Sequence, residues 1–365
     1  MLLLELSTRA MGVLIVKAVM PVHLNARKRQ VLEAIVESHI ETAEPVSSRT
    51  IARKYHLGVS PATIRNEMAD LEEMGLIEQP HTSAGRIPSQ PGYRYYVDEL
   101  MKKRRLTPRE ERLIRAIFAQ KARVWAKLIQ RTIKTVKQMT DYLIMLSGPQ
   151  LEYAALKKVK IIPLLPDNAL VVIVAETGWI ETRVIELPSG MASEDLQRIE
   201  AVFNTYFSGL TFPEISRTIL ESVYDELLRQ RKAVDRILEI IEAVLQEESG
   251  EALYLGGTQN ILKQPEYRNL NELYNILNLI EEEDTLRSIL LDTASNQITV
   301  KIGQELNCEM AKNYSVVTSV YTIGGKAVGA FGLLGPVRMD YARAIAIVEY
   351  ITQTLSEVLT AEPII

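Results

Sequence analysis

Cysteine is almost absent from the 365-residue chain: Cys308 stands alone, so no internal disulfide can staple the fold, and a secreted disulfide scaffold is excluded. A reducing, cytoplasmic setting is expected. Histidine is nearly as scarce. His23, His39, His56 and His81 are scattered with no cysteine or acid at ligand spacing, and none follows His81, so zinc sites and histidine-dependent hydrolysis lack residues in the rest of the chain. Neither a G-x-S-x-G elbow nor an H-E-x-x-H pair occurs. The glycines at 324, 325, 329, 332 and 335 do not make a nucleotide loop: Gly325-Lys326 is followed by Ala327 and preceded five residues earlier by Val320, and the first glycine pair of G-x-G-x-x-G is missing. They read as turn and close-packing glycines of a hairpin. No catalytic set, cofactor or metal is expected, and the chain reads as a non-enzyme.

Long uncharged apolar runs are lacking too. The opening MLLLELSTRAMGVLIVKAVM is broken by Glu5, Arg9 and Lys17, and has neither a basic start nor a small-residue cleavage site. Residues 1–21 read as an extension, neither secretory leader nor membrane span. A net positive charge is also missing, the total being -4. Its distribution is uneven, however. Residues 25–137 carry 22 Lys and Arg against 13 Asp and Glu, whereas 138–365 carry 18 against 32. A basic first third on an acidic body suits a nucleic-acid-binding head joined to a domain with another task.

The head is expected at 22–105. Val31, Leu32, Ile35, Val36 and Ile40 recur at helical spacing behind Asn25, a capping residue. Pro45 breaks the pattern, and Ser47 can cap a short second helix that carries Arg49. Ser60-Pro61 then pairs a cap with proline at the first helical position, and Gly75 suits the end of a third helix. Two helices around a short turn make a helix-turn-helix. On the third, Ile64, Met68 and Leu71 point inward, leaving Ala62, Asn66, Ala69 and Glu73 outward with Thr63, Arg65 and Asp70 beside them. Asn66 can bond adenine and Arg65 guanine or phosphate, while Ser60 and Thr63 sit where helix N-termini meet phosphates. Leu76–Gln79 and Arg86–Pro88 read as strands around a small-residue tip at 82–85, a wing able to bring Arg86 to the DNA backbone or minor groove. His81 reads as a wing residue. Tyr93, Tyr95 and Tyr96 are expected to open a helix running into KKRRL at 102–106. Single-strand binding through interleaved aromatics and bases is the alternative for that stretch.

These blocks, RQVLEAIVESHIETAEPVSS, SPATIRNEMADLEEMGLIEQPHTSAGRIPS and GYRYYVDELM, resemble the HrcA family of heat-inducible transcription repressors. LYLGGTQNIL at 253–262, VKIGQELN and YTIGGKAVGAFGLLGPVRMDY extend the likeness towards the C-terminus. The resemblance implies a repressor that binds an inverted-repeat operator, the CIRCE element, as a homodimer, with a chaperonin as partner and no membrane association. It implies a winged helix-turn-helix followed by a GAF-like α+β domain interrupted by an inserted helical dimerisation domain. The residues expected to meet DNA are Ser47, Arg49, Ser60, Thr63, Arg65, Asn66 and Arg86.

Within the body, 106–211 is expected to hold linker helices and the first part of the GAF-like domain. One or two helices over 106–147 would bury Leu113, Ile117, Trp125, Leu128, Ile133, Val136, Tyr142 and Leu146. Strands follow from Val159, then a helix from Ser193 to Phe207. The helical stripe Ile219, Val223, Leu227, Val234, Ile237, Ile241 and Val244 falls in the expected insertion, 212–285. Such a stripe is more often core, and the resemblance alone favours dimer contacts. Strand character returns in 286–365, ending in a helix from Tyr341. A metabolite-sensing body with a protein-docking head is the competing reading.

Overall fold

The computed structural model describes residues 23–81, 84–118, 125–148, 155–165, 167–175, 180–188, 191–211, 217–227, 253–293 and 298–361, with single positions 214, 234, 235, 237 and 238. The expected extension at 1–21 and the wing residues 82 and 83 lie outside them.

The head follows its local signals. Helix α1 (Ala26–Thr42) is capped by Asn25, whose Oδ1 accepts from the Lys28 amide at 2.9 Å. Helices α2 (Ser48–Lys54) and α3 (Pro61–Glu73) follow, and Ile35, Ile51, Ile64 and Leu71 from the three helices are fully buried. Gly75, at φ +72°, turns the chain off α3 into strand β1 (Ile77–Glu78), which pairs with β2 (Ile87–Pro88). Val46 and Arg86 exchange backbone hydrogen bonds of 2.8 and 2.9 Å, so the segment before α2 adds a third line to the wing sheet. Helix α4 (Gln90–Tyr95) crosses so close that a Cβ on Gly92 would lie 1.9 Å from the Leu76 carbonyl oxygen. The tyrosine helix does not continue into the basic run as expected. It passes through a π-turn at Tyr96–Leu100 and stops, leaving Lys102 to Arg105 exposed in extended chain and Leu106 buried.

Helices α5 (Pro108–Phe118) and α6 (Trp125–Val136) lead into the body. Leu113, expected inside, is 36% exposed, while Ile114 and Ile117 take the inner face. The expected helical stretch also ends early, because 143–147 is strand β3. With strands β7 (Leu253–Gly256), β8 (Thr299–Ile302), β9 (Tyr314–Ile323) and β10 (Lys326–Pro336) it forms an antiparallel sheet of order β7-β3-β10-β9-β8. Ile144 and Leu146 face a core shared with α5, α6 and the closing helix α11 (Tyr341–Ala361). Leu143 and Met145 face another, under α9 (Leu270–Glu281) and α10 (Glu283–Leu291). The sheet is thus clad on both sides, and β3 lacks polar alternation because neither face meets water.

A separate three-stranded sheet, β4 (Leu156–Leu165), β5 (Asn168–Ala175) and β6 (Ile180–Glu186), carries α7 (Ser193–Phe207) and α8 (Arg217–Glu226) over its own core. This corrects the expected borders of the insertion. β3 and β7 are hydrogen-bonded neighbours, Met145 opposite Leu255, so the interruption lies between 148 and 253, and 253–285 belongs to the main body. Val223, Leu227, Val234 and Ile237 are fully buried in that small core, so the stripe is packing. Ile241 and Val244 fall outside the described residues. No described helix is long and apolar enough to cross a membrane.

Candidate nucleic-acid interface

Helix α3 presents the site. Its inner face is closed by Ile64, Met68 and Leu71, at most 5% exposed, so Ala62, Arg65, Asn66, Ala69 and Glu73 stand in solvent on the opposite side. The first turn is held by Ser60, whose Oγ accepts from the Thr63 amide at 3.1 Å and lies 3.0 Å from Thr63 Oγ1. Ser47 caps α2 in the same way, accepting from the Thr50 amide at 3.1 Å, and Arg49 is exposed one turn on. Both hydroxyls therefore serve helix starts, which fixes where the remaining free amides of those turns point. Ser47, Arg49, Ser60, Thr63, Arg65 and Asn66 all belong to these two short helices and their caps.

Arg86 is placed differently from the expectation that the wing offers it to DNA. Its Nε donates to Glu72 Oε2 at 2.9 Å and a terminal nitrogen lies 2.8 Å from the same oxygen. In this arrangement the guanidinium locks the wing to the back of α3. Sequence reading did not single out Lys28, although the basic cluster ARKR at the start of α1 was visible. Lys28 lies 2.7 Å from Asp70 and 3.0 Å from Glu67, and Arg27 3.7 Å from Glu67. The bond to Asp70, then that to Glu67, holds the Lys28 ammonium above its ordinary pKa. Two of the acids on α3 are thereby neutralised, leaving Arg65 as the cation beside Asn66 on the exposed face.

The head is tied to the body by polar contacts at α4 and at the end of α1. Arg94, only 2% exposed, donates from Nε to Glu305 at 2.8 Å and from Nη2 to the Val300 carbonyl at 2.7 Å, with Asp98 3.2 Å from Nη1. In the other direction Arg338 of the body donates to the Ile40 carbonyl at 2.9 Å and pairs with Glu266 at 2.5 Å. His39 Nδ1 lies 2.6 Å from the Tyr93 hydroxyl, and burial, then Arg338, lower its pKa to about 4.

Residues 23–98 match the family described as "Winged helix-turn-helix transcription repressor, HrcA DNA-binding", and residues 126–345 match "HrcA protein C terminal domain". The chain belongs to the HrcA family. The heat-inducible transcription repressor HrcA of Moorella thermoacetica is 45% identical over 337 residues, covering 92% of this chain and 98% of the relative. That of Desulforudis audaxviator is 46% identical over 342 residues, with coverage of 92% and 98%. A crystal structure at 2.2 Å resolution, described as a hypothetical protein, is 26% identical with a TM-score of 0.62, covering 93% of this chain and 99% of that one. The head is thus the winged-helix DNA-binding domain of HrcA, and the family's activity is heat-inducible transcriptional repression.

Proposed function

We propose that two copies of the chain bind an inverted-repeat operator of the CIRCE type, each laying α3 along a major groove, and that heat stress releases the operator. The observation that carries this reading is the exposed face of α3, where Arg65 and Asn66 stand between the small residues Ala62 and Ala69 above a fully packed inner face. Small neighbours let the helix backbone approach base edges, while an arginine and an asparagine supply two-bond recognition of guanine and adenine. Ser47, Arg49, Ser60 and Thr63 would contact phosphates at the two helix starts. Arg86 would join them only after leaving Glu72; paired, it positions the wing.

A second copy has a surface to meet. An antiparallel sheet with one free face usually makes that face polar. On the three-stranded sheet, Ile162, Leu170 and Val184 instead form one cross-strand row, with Ile162 41% and Val184 62% exposed. We assign this face to the homodimer, so that protein symmetry matches operator symmetry. The chaperonin partnership, the cytoplasmic setting and the GAF-like character of the clad five-stranded sheet belong to the same proposal, resting on the family likeness.

Selection of bound sequences from random DNA should yield an inverted repeat, and Arg65→Ala with Asn66→Ala should cost about 1–3 kcal/mol of base discrimination per residue. Weak, salt-sensitive nonspecific binding should remain. A double variant that still selects the same repeat at parental affinity would refute the assignment of α3.

A further inference from the structure

A cleft of about 730 Å³ opens between the head and the body, with Glu78 and Pro88 of the wing on one side and Glu272 and Arg338 of the body on the other. Tyr267 and Tyr314 line it, their rings 6.5 Å apart and inclined by 20°. They are 6% and 1% exposed, and neither hydroxyl has a hydrogen-bond partner among the described residues. Buried hydroxyls are rarely left unmatched, because desolvation without a bond is costly. Two such groups side by side under an open cleft mark a place where a polar ligand would complete the structure.

Charge narrows the ligand. Glu266 is cancelled by Arg338. Glu272 holds only the Asn313 amide, at 3.1 and 3.3 Å, and neither it nor Glu78 has an ion pair among the described residues. His39, on the same wall, is uncharged at neutral pH. The lining therefore keeps an excess of negative charge next to two electron-rich rings. Anions are disfavoured, and no described group of three or more His, Cys, Asp or Glu could hold a metal ion. What remains is a small organic cation. Its N–H groups can donate to the phenol oxygens and to Glu272, and its charge is also favoured by aromatic faces.

We propose that this cleft is a binding site for a small aliphatic amine or guanidine compound, held by Tyr267, Tyr314 and Glu272. Its walls come from both head and body, so an occupant favours one angle between them. Its effect on operator affinity rests on the DNA-binding reading above, whereas binding itself does not.

The test is calorimetric titration of the full chain with putrescine, spermidine and agmatine, repeated on Tyr267→Phe, Tyr314→Phe and Glu272→Gln. The phenylalanine variants remove only hydroxyls without partners, so they should fold as well as the parent. At least one probe should bind saturably at one site, weakened about tenfold or more in all three variants. Absence of saturable binding by every probe, or binding that all three variants retain, overturns the site. Operator affinity with and without the probe, compared between parent and Glu272→Gln, tests regulation: equal responses refute that step alone and leave the site standing.

Discussion

Replacing Arg94 with methionine tests whether the head is held by a buried charge. The side chain is 2% exposed and its donors go to Glu305, Asp98 and the Val300 carbonyl. Methionine fills much of the volume but leaves two carboxylates and a carbonyl without their donor. Removing one partner of a buried pair costs about 3–5 kcal/mol. The low end applies, because Glu305 is 27% exposed and keeps a 2.9 Å bond from the Ile302 amide, so it can rehydrate. Asp98 is only 13% exposed, and burial already raises its pKa, so it can take up a proton. A loss of about 3 kcal/mol corresponds to a fall in Tm of roughly 6–12 °C for a unit of 150–250 residues. Urea titration followed by circular dichroism reads the loss, and hydrogen exchange should locate it at α4 and around 300–305. Arg94→Met combined with Glu305→Gln should lose less than the two single changes together, with a coupling of about 1–3 kcal/mol. A single methionine variant within about 1 kcal/mol of the parent would refute the reasoning.

Two further outcomes follow from the same physics. His39 has a folded pKa of about 4 against about 6.5 unfolded, so the unfolded chain binds a proton first. Stability should be complete above about pH 6.5 and fall by about 2 kcal/mol by pH 5, and His39→Gln should flatten that slope in denaturant titrations at the two pH values; an unchanged slope would refute the histidine's part. Val184→Asp, at a 62% exposed position, should leave the fold intact. In light-scattering measurements it should halve the mass and weaken operator binding, and a parental mass would remove that face from the dimer.

The head was legible because its signals are local. Asn25, Ser47, Ser60-Pro61 and Gly75 each act within four residues of themselves, and the helices start and stop where they direct. The errors share an opposite cause. LIMLS at 143–147 is apolar at four of five positions because both faces of β3 are covered, and such a run does not separate strand from helix. The insertion was misplaced because its borders are defined by β3 pairing with β7, a partnership with no local trace. Arg86 looks like any wing cation until Glu72, fourteen positions back, is seen beside it. Arg94 sits among tyrosines and basic residues in the sequence, and only Glu305, 211 positions away, turns it inward.

Arg94 also explains why the joint between head and body can act as a switch. Arg94 reaches from the head to the body and Arg338 from the body to the head, each ending on a backbone carbonyl as well as an acid. Apolar surfaces slide over one another with small changes in energy. Arginines that bond a carboxylate and a carbonyl at once tolerate little displacement, since a hydrogen bond weakens steeply away from its preferred geometry. Once shifted, both leave buried groups unmatched, so intermediate angles are the expensive ones. The joint is therefore either seated or released. The placement of α3 relative to a second copy depends on that seating, which makes repression a property lost as a unit when the seam opens, as a heat-inducible repressor requires.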